Sequence, residues 1–240
     1  MSNHNPYIYG RALRFDEFIG RNREMRTVFD RISGFESTAV IGGPHSGKTS
    51  LLSYVTSAAV RDEWLGADSK KFLFSEPLDC LSLPAVFTTQ KFWEYVFDPI
   101  HSLNRADLSN HLKLVAENDY GLFSLERFLK HLDVEGLCLV ASLDEFDALL
   151  RHPSLKRIEF FGTLRTIVSR DRGLSLLISS RLSLSELNRV PQEDFDQGGS
   201  PLFNYFAEVN IGLLNERDIK LLIKLSESRG VIFDERDVAY

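Results

Sequence analysis

The chain has 240 residues, 43% of them hydrophobic and 26% charged, with 28 Lys and Arg against 34 Asp and Glu for a formal net charge of −6. That composition is ordinary for a globular protein and excludes collagen-like and disordered architectures, while the acidic balance weighs against a dedicated nucleic-acid coat. Two cysteines, Cys80 and Cys138, fit a reduced, cytoplasmic setting and are too few for a four-ligand zinc site. No apolar run approaches the ~20 residues of a membrane helix, so no membrane partner is expected, and the first residues lack the basic and apolar regions of a signal peptide.

Residues 1–17 carry no helical period and read as an extended arm. From Asn22 to Ile32, the residues Met25, Val28, Phe29 and Ile32 recur at three- and four-residue spacing, which predicts an amphipathic helix ended by Ser33-Gly34. Ser37–Ile41 predicts a short strand running into Gly42-Gly43-Pro44, with a helix from Lys48 to about Val60. Phe72–Leu78 reads as a second strand, bent or held at a sheet edge by Pro77. Helices are expected over Phe92–Leu103 and Leu122–Leu132, with a weaker mixture over Asn104–Tyr120. The aromatic spacing of Phe92, Trp93, Tyr95 and Phe97 suits a sheet-covering core better than a binding surface. Gly136–Leu143 is apolar apart from Ser142, the pattern of a strand buried on both faces of a parallel sheet. A helix over Ile158–Ser169, a strand over Leu174–Ser179, an acidic loop over Gln192–Ser200, a short strand over Ala207–Ile211 and a helix over Asn215–Ser228 complete the chain. Strands alternating with helices imply βαβ units and a covered parallel sheet.

Gly42-Gly43-Pro44-His45-Ser46-Gly47-Lys48-Thr49 matches G-x-x-x-x-G-K-[ST] at every fixed position, between a predicted strand and a predicted helix. Glycines let successive backbone N–H groups face one anionic centre, and the helix beginning at Lys48 adds its positive N-terminus. Lys48 is then placed for the β- and γ-phosphates of a nucleotide and the Thr49 hydroxyl for Mg2+. Downstream, the buried strand ending at Leu143 runs into Asp144 and Glu145. At the carboxyl end of a parallel strand these two would point into the site that holds Lys48, Asp144 to support Mg2+ and Glu145 to polarise an attacking water. Asp147 is either a helix-starting acid or a functional group. Ser179-Ser180-Arg181 ends the next strand, where Arg181 either senses the γ-phosphate or belongs to an ordinary loop.

Together these pieces resemble the STAND and AAA+ group of P-loop ATPases, close to its prokaryotic STAND and archaeal-ATPase-like members. Phe18-Ile19-Gly20-Arg21-Asn22-Arg23-Glu24 is similar to the family's FxGRxxE box, and the Walker A loop at 42–49, Walker B at 139–145 and Ser-Ser-Arg at 179–181 follow in the family's order. Phe146 to Arg165 is similar too, with His-Pro and then a Phe-Phe-x-x-Leu-Arg helix. The resemblance implies an α/β, three-layer αβα sandwich with a five-stranded parallel sheet of order 5-1-4-3-2. It divides the chain into an arm (1–17), a P-loop core (18–212) and the start of a helical lid (213–240), with the rest of the lid missing or beyond Tyr240. It implies ATP or ADP as ligand, held by the loop, the adjoining Ser50 and the box residues Phe18, Ile19, Gly20 and Arg21. Catalysis would rest on Lys48, Glu145 and Arg181, with Mg2+ on Thr49 and Asp144. Such proteins act as nucleotide-controlled switches of assembly, so self-association or a protein partner is expected, within a larger signal-transducing or defence-type protein. A weakly hydrolysing scaffold and a DNA-engaging loader or transposition regulator are the alternatives. No guanine-reading Asn-Lys-x-Asp motif is visible, and no residue stands out as an arginine finger, with Arg165, Arg170 and Arg172 as candidates.

Overall fold

A computed structural model describes residues 13, 18–194, 202–228 and 230 of the chain. The expected arm lies outside these residues except for Leu13, as do residues 195–200 of the expected acidic loop. Among the described residues six strands form one parallel sheet: β1 (Ser37–Ile41), β2 (Phe72–Phe74), β3 (Leu78–Asp79), β4 (Cys138–Asp144), β5 (Leu174–Ser180) and β6 (Phe206–Asn210). They lie in the order β2-β4-β5-β1-β6, with β3 also on β4.

β2 and β3 are two pieces of one edge strand. Phe74 pairs with Val140 and Leu78 with Leu143, so four steps along the edge strand span three along β4, a one-residue bulge. Pro77, which has no N–H to give the ladder, falls within it, and Ser75 Oγ accepts the Ser142 N–H at 3.0 Å instead. Counted as one strand, the pair makes the sheet the expected five-stranded 5-1-4-3-2 arrangement.

Parallel strands joined by crossovers need cover on both faces, and the alternation of side chains assigns it. Val40, Phe72, Phe74, Cys138, Val140 and Leu177 face one way, onto α1 (Asn22–Ser33), α2 (Lys48–Thr56) and α3 (Ala58–Leu65). Ala39, Ile41, Leu73, Leu139, Ala141, Leu143, Leu176 and Ile178 face the other, onto α4 (Thr89–His101), α5 (Ala106–Glu117), α6 (Leu122–Val134) and α7 (Ile158–Arg170). The aromatic helix α4 is core, as its spacing predicts: Phe92, Trp93 and Phe97 are fully buried, and Phe92 meets Phe160 of α7 edge-to-face at 5.0 Å. Truncating such a ring costs about 3–5 kcal/mol.

The helix expected from Lys48 to about Val60 is instead two. Ser57 is extended (ψ 131°) between α2 and α3, and Thr56 Oγ1 donates back to the Leu52 and Ser53 carbonyls, a local competition that ends helices. The stretch read as a weak mixture contains α5, with Leu108, Leu112 and Val115 buried at helical spacing. A further helix, α8 (Leu184–Asp194), extends into the expected acidic loop. It starts with a capping box in which the Glu186 carboxylate accepts the Ser183 N–H at 2.8 Å and the Ser183 hydroxyl faces the Glu186 N–H at 3.4 Å. The last helix among the described residues, α9 (Glu216–Ser228), follows β6 as expected.

Candidate functional site

All strands are parallel, so their carboxyl ends share one edge, and the predicted residues lie along it. Ile41 ends β1 level with Ser180 of β5 and Asn210 of β6. The Gly42 N–H continues the ladder to the Ser180 carbonyl at 3.2 Å. A Cβ on Gly42 would stand 2.6 Å from Ser46 Oγ and 2.8 Å from the Ile211 carbonyl, so the first loop position admits only glycine. Gly47, at φ +95°, takes the left-handed turn that leads into α2. Pro44, His45 and Thr49 are exposed along this loop. Lys48 is 4% exposed, and its Nζ donates to the Gly42 and Gly43 carbonyls at 2.9 Å each. Both acceptors are neutral, so the ammonium is fixed in place while its charge stays uncompensated at the helix N-terminus.

The acidic corner is built across β4 and β5. The register Leu143↔Ile178 sets Asp144 opposite Ser179, on the α2 side of the sheet. The Ser179 hydroxyl donates to Asp144 Oδ1 and accepts the Glu145 N–H at 3.0 Å. Glu145 is left-handed (φ 49°, ψ 45°), which is uncommon for a residue with a side chain, and this bond holds it there. Arg181 Nε lies 3.0 Å from Glu145 Oε2 as an ion pair, without the alignment of a hydrogen bond. The same arginine donates its main-chain N–H to Asp147 Oδ1 at 3.3 Å and its Nη2 to Oδ2 at 3.4 Å. Asp147 thus fastens the residue expected to act as sensor.

Cys80, read from the sequence only as one of two reduced cysteines and not as a site residue, closes this corner. Its N–H donates to the Asp144 carbonyl at 2.9 Å. Burial, and then the nearby carboxylates led by Asp144, push its thiol far above the ordinary range, so it stays protonated and inert. Burial likewise pushes the mid-strand Cys138 up to about 12.

The N-terminal box sits against the loop from the other side. Phe18 stacks on Tyr54 of α2 with centroids 4.3 Å apart, and the Leu13 N–H donates to Ser50 Oγ at 3.2 Å. Ile19 is half-buried beside Gly20. Arg21 is 8% exposed, and its guanidinium donates to the Gly212 (2.6 Å), Ser46 (3.3 Å) and Leu213 (3.4 Å) carbonyls and to Glu24 (3.2 Å). Its main-chain N–H donates to Asp218 of α9. Asp218 is not among the residues the sequence singles out; its signal is the Asn215-x-x-Asp218 pattern of a helix start, with the Asp218 N–H on Asn215 Oδ1 at 2.9 Å.

No protein-family model matches the chain, and no curated protein does. Among solved structures, it is similar to the Walker-type ATPase PABY2304 of Pyrococcus abyssi, with a TM-score of 0.61 and 16% identity over 95% of this chain and 63% of that one. It is also similar to the ORC2 protein of Aeropyrum pernix, in its ADPNP-ADP complexes (TM-score 0.57, 15% identity, 98% of this chain and 57% of that one) and in its ADP form (0.54, 18%, 96% and 57%). This chain has a P-loop NTPase-like fold. It spans 57% to 63% of the length of these neighbours.

Within this P-loop fold two of the three candidate finger arginines stand apart from the strand-end site. Arg170 pairs with Glu126 at 3.4 Å, and Arg172 lies over the Phe35 ring at 5.6 Å, both just before β5 begins at Leu174, at the opposite end of the strand from Ser179. Arg165 makes contacts of its own within the chain. A groove of about 700 Å³ between α5 and α6, rimmed by the exposed Leu114, Phe123 and Val134, shares no residue with the site. Among the described residues no group of three His, Cys, Asp or Glu could hold a metal unaided, and no helix is long and apolar enough to cross a membrane.

Proposed function

We propose that the chain binds ATP and ADP at the loop 42–49 and hydrolyses ATP, serving as a nucleotide-controlled switch within a larger signal-transducing or defence-type protein. The observation that carries this reading is the shared edge: a buried ammonium (Lys48) at a helix N-terminus, held by two neutral carbonyls, and at the carboxyl ends of the same parallel sheet two acids tied to one serine. In the reaction, Lys48 holds the β- and γ-phosphates and Glu145 orients a water. The water oxygen bonds to the γ-phosphorus, the bond to the β–γ bridging oxygen breaks, and ADP leaves with that oxygen while the water's proton passes to solvent or phosphate.

Mg2+ fits this donor set as a cation brought with the nucleotide, because it takes few protein ligands besides phosphate oxygens and waters. Thr49 Oγ1 and the Asp144 carboxylate are the residues that would hold it, and it would supply neutralisation of the phosphate charge. Arg181 gives the switch its bias. Paired with Glu145 and Asp147, it is drawn away only by a group of stronger negative charge, the γ-phosphate, and its departure frees Glu145 for water. ATP and ADP thereby favour different arrangements of this corner, and assembly with further copies or with a protein partner follows the ATP-bound one. A DNA-engaging role is less well supported: Arg21, a basic residue of the N-terminal box, is buried and committed to carbonyls of its own chain.

Single-turnover hydrolysis of Mg·ATP tests the reading. Glu145→Gln is expected to lower the rate by about 100-fold or more while binding persists. Equal rates in the two proteins would contradict hydrolysis at this site and favour a scaffold that binds without turnover.

A further inference from the structure

The base of α9 is joined to the phosphate loop through one carboxylate. Asp218 is 4% exposed, and its Oδ2 accepts two hydrogen bonds, from the Arg21 main-chain N–H at 3.0 Å and from Asn215 Nδ2 at 2.8 Å. The first of these bridges 197 residues of sequence. Gly20, at φ +76°, fits closely beneath it: a Cβ there would stand 2.4 Å from Asp218 Cγ. The carboxylate therefore packs directly on the backbone of the Gly20–Arg21 turn and fixes where Arg21 begins. From that turn the guanidinium reaches the Gly212 carbonyl at 2.6 Å and the Ser46 carbonyl, inside the phosphate loop, at 3.3 Å. Arg21 is itself left-handed (φ 61°), a conformation a side-chain-bearing residue keeps only where its surroundings impose it. The acceptor that Asp218 gives its N–H is one such imposition.

We propose that Asp218 is a positioning residue for the nucleotide site: it locks the Gly20–Arg21 turn, so that the placement of α9 and the shape of the phosphate loop move as one unit. The proposal rests on the loop 42–49 being the nucleotide site. The hydrogen bonds of Asp218 go to Arg21 and Asn215, so it acts on the loop through Arg21. Displacement of α9 pulls the turn with it and withdraws the guanidinium from Ser46, so whatever moves α9 alters nucleotide affinity, and by reciprocity nucleotide alters the placement of α9.

Equilibrium binding of a fluorescent ADP analogue with Mg2+, read by anisotropy on the full chain, tests this. Asp218→Ala is expected to weaken binding about tenfold, because the Arg21 N–H loses its acceptor in a buried turn and the guanidinium loses its register. Asp218→Asn keeps an oxygen where Oδ2 stands, retains both bonds and is expected to bind within about threefold of wild type. The double variant Arg21→Ala/Asp218→Ala is expected to bind no more weakly than Arg21→Ala alone, since the two act in series. Leu164→Ala, in the core on the far face of the sheet, lowers the thermal midpoint without changing affinity and separates positioning from general destabilisation. If Asp218→Ala does not fold, Asn215→Ala, which removes the amide that donates to Oδ2 together with the Oδ1 that accepts the Asp218 N–H but leaves the carboxylate on the Arg21 N–H, carries the test with an expected loss of about threefold. Wild-type affinity in the variant tested, or a double variant in which the two losses multiply, overturns the proposal. Failure of the wild type to bind any nucleotide overturns the site assignment instead, and so is distinguishable.

Discussion

The cations on the two sides of the strand-end edge are held in different ways. On the loop side Lys48 donates to two carbonyls, and Arg21 to three carbonyls and a single carboxylate, Glu24. On the acidic side Arg181 is held by two carboxylates, Glu145 and Asp147. A carbonyl fixes a cation's position and leaves its charge available to an anionic ligand; a carboxylate largely cancels it. The loop side is thus preorganised to attract phosphate, while the acidic side is a closed set of pairs that an incoming charge must rearrange. A binding element needs the first property and a switching element the second.

Removing the hub of the acidic side has the largest expected effect. Ser179 is fully buried and serves Asp144 and Glu145 together. Ser179→Ala leaves an unpaired N–H and an under-bonded carboxylate, a loss of about 2–4 kcal/mol, or roughly 4–16 °C in thermal midpoint for a chain of this size. Hydrolysis should fall with it while ADP affinity, set on the loop side, is kept; an unchanged midpoint in differential scanning fluorimetry would break the contrast. Arg181→Ala should act more narrowly, reducing the preference for a non-hydrolysable ATP analogue over ADP by about tenfold with ADP affinity unchanged. A parallel loss for both nucleotides in calorimetric titrations would move Arg181 to the loop side of the comparison.

The smallest effect concerns an acid at the other end of β5. Asp144 has a hydroxyl donor, whereas Asp171 has a buried Oδ2 with none, and burial, then Glu126 and Asp133, raise its pKa above the ordinary 3.8. A raised carboxyl favours the fold below its unfolded pKa, and that contribution is lost as pH rises through the folded value. Asp171→Asn should therefore remove a decline in stability above about pH 4 and raise the stability at pH 7, by less than about 1 kcal/mol after solvent screening at this partly exposed position. Identical pH profiles for variant and wild type would show that Asp171 is adequately solvated.

Much of this was legible in the sequence, for reasons that differ by element. The helical period of α1, the glycines before Lys48 and the apolar run into Asp144 are local patterns with local causes, and each element stands where its pattern places it. The break at Ser57 was not legible, because Leu51, Leu52, Val55 and Val60 keep an apolar pattern across it while Thr56 turns back onto its own backbone. The Ser183–Glu186 capping box, by contrast, is a local signal of the α8 start that the sequence does carry. The placement of Asp218 over Gly20 could not be read at all, since it depends on the sheet bringing the first and last described helices together. Cys80 beside the acids depends in the same way on the bulge that returns the edge strand to β4.

The most direct measurement is a calorimetric titration of ATP and ADP, each with Mg2+, into the wild type and Lys48→Ala. Binding of both nucleotides by the wild type, weakened at least about 100-fold in Lys48→Ala, is the expected result. Undiminished affinity in the variant would place the nucleotide, and the function built on it, somewhere other than the loop 42–49.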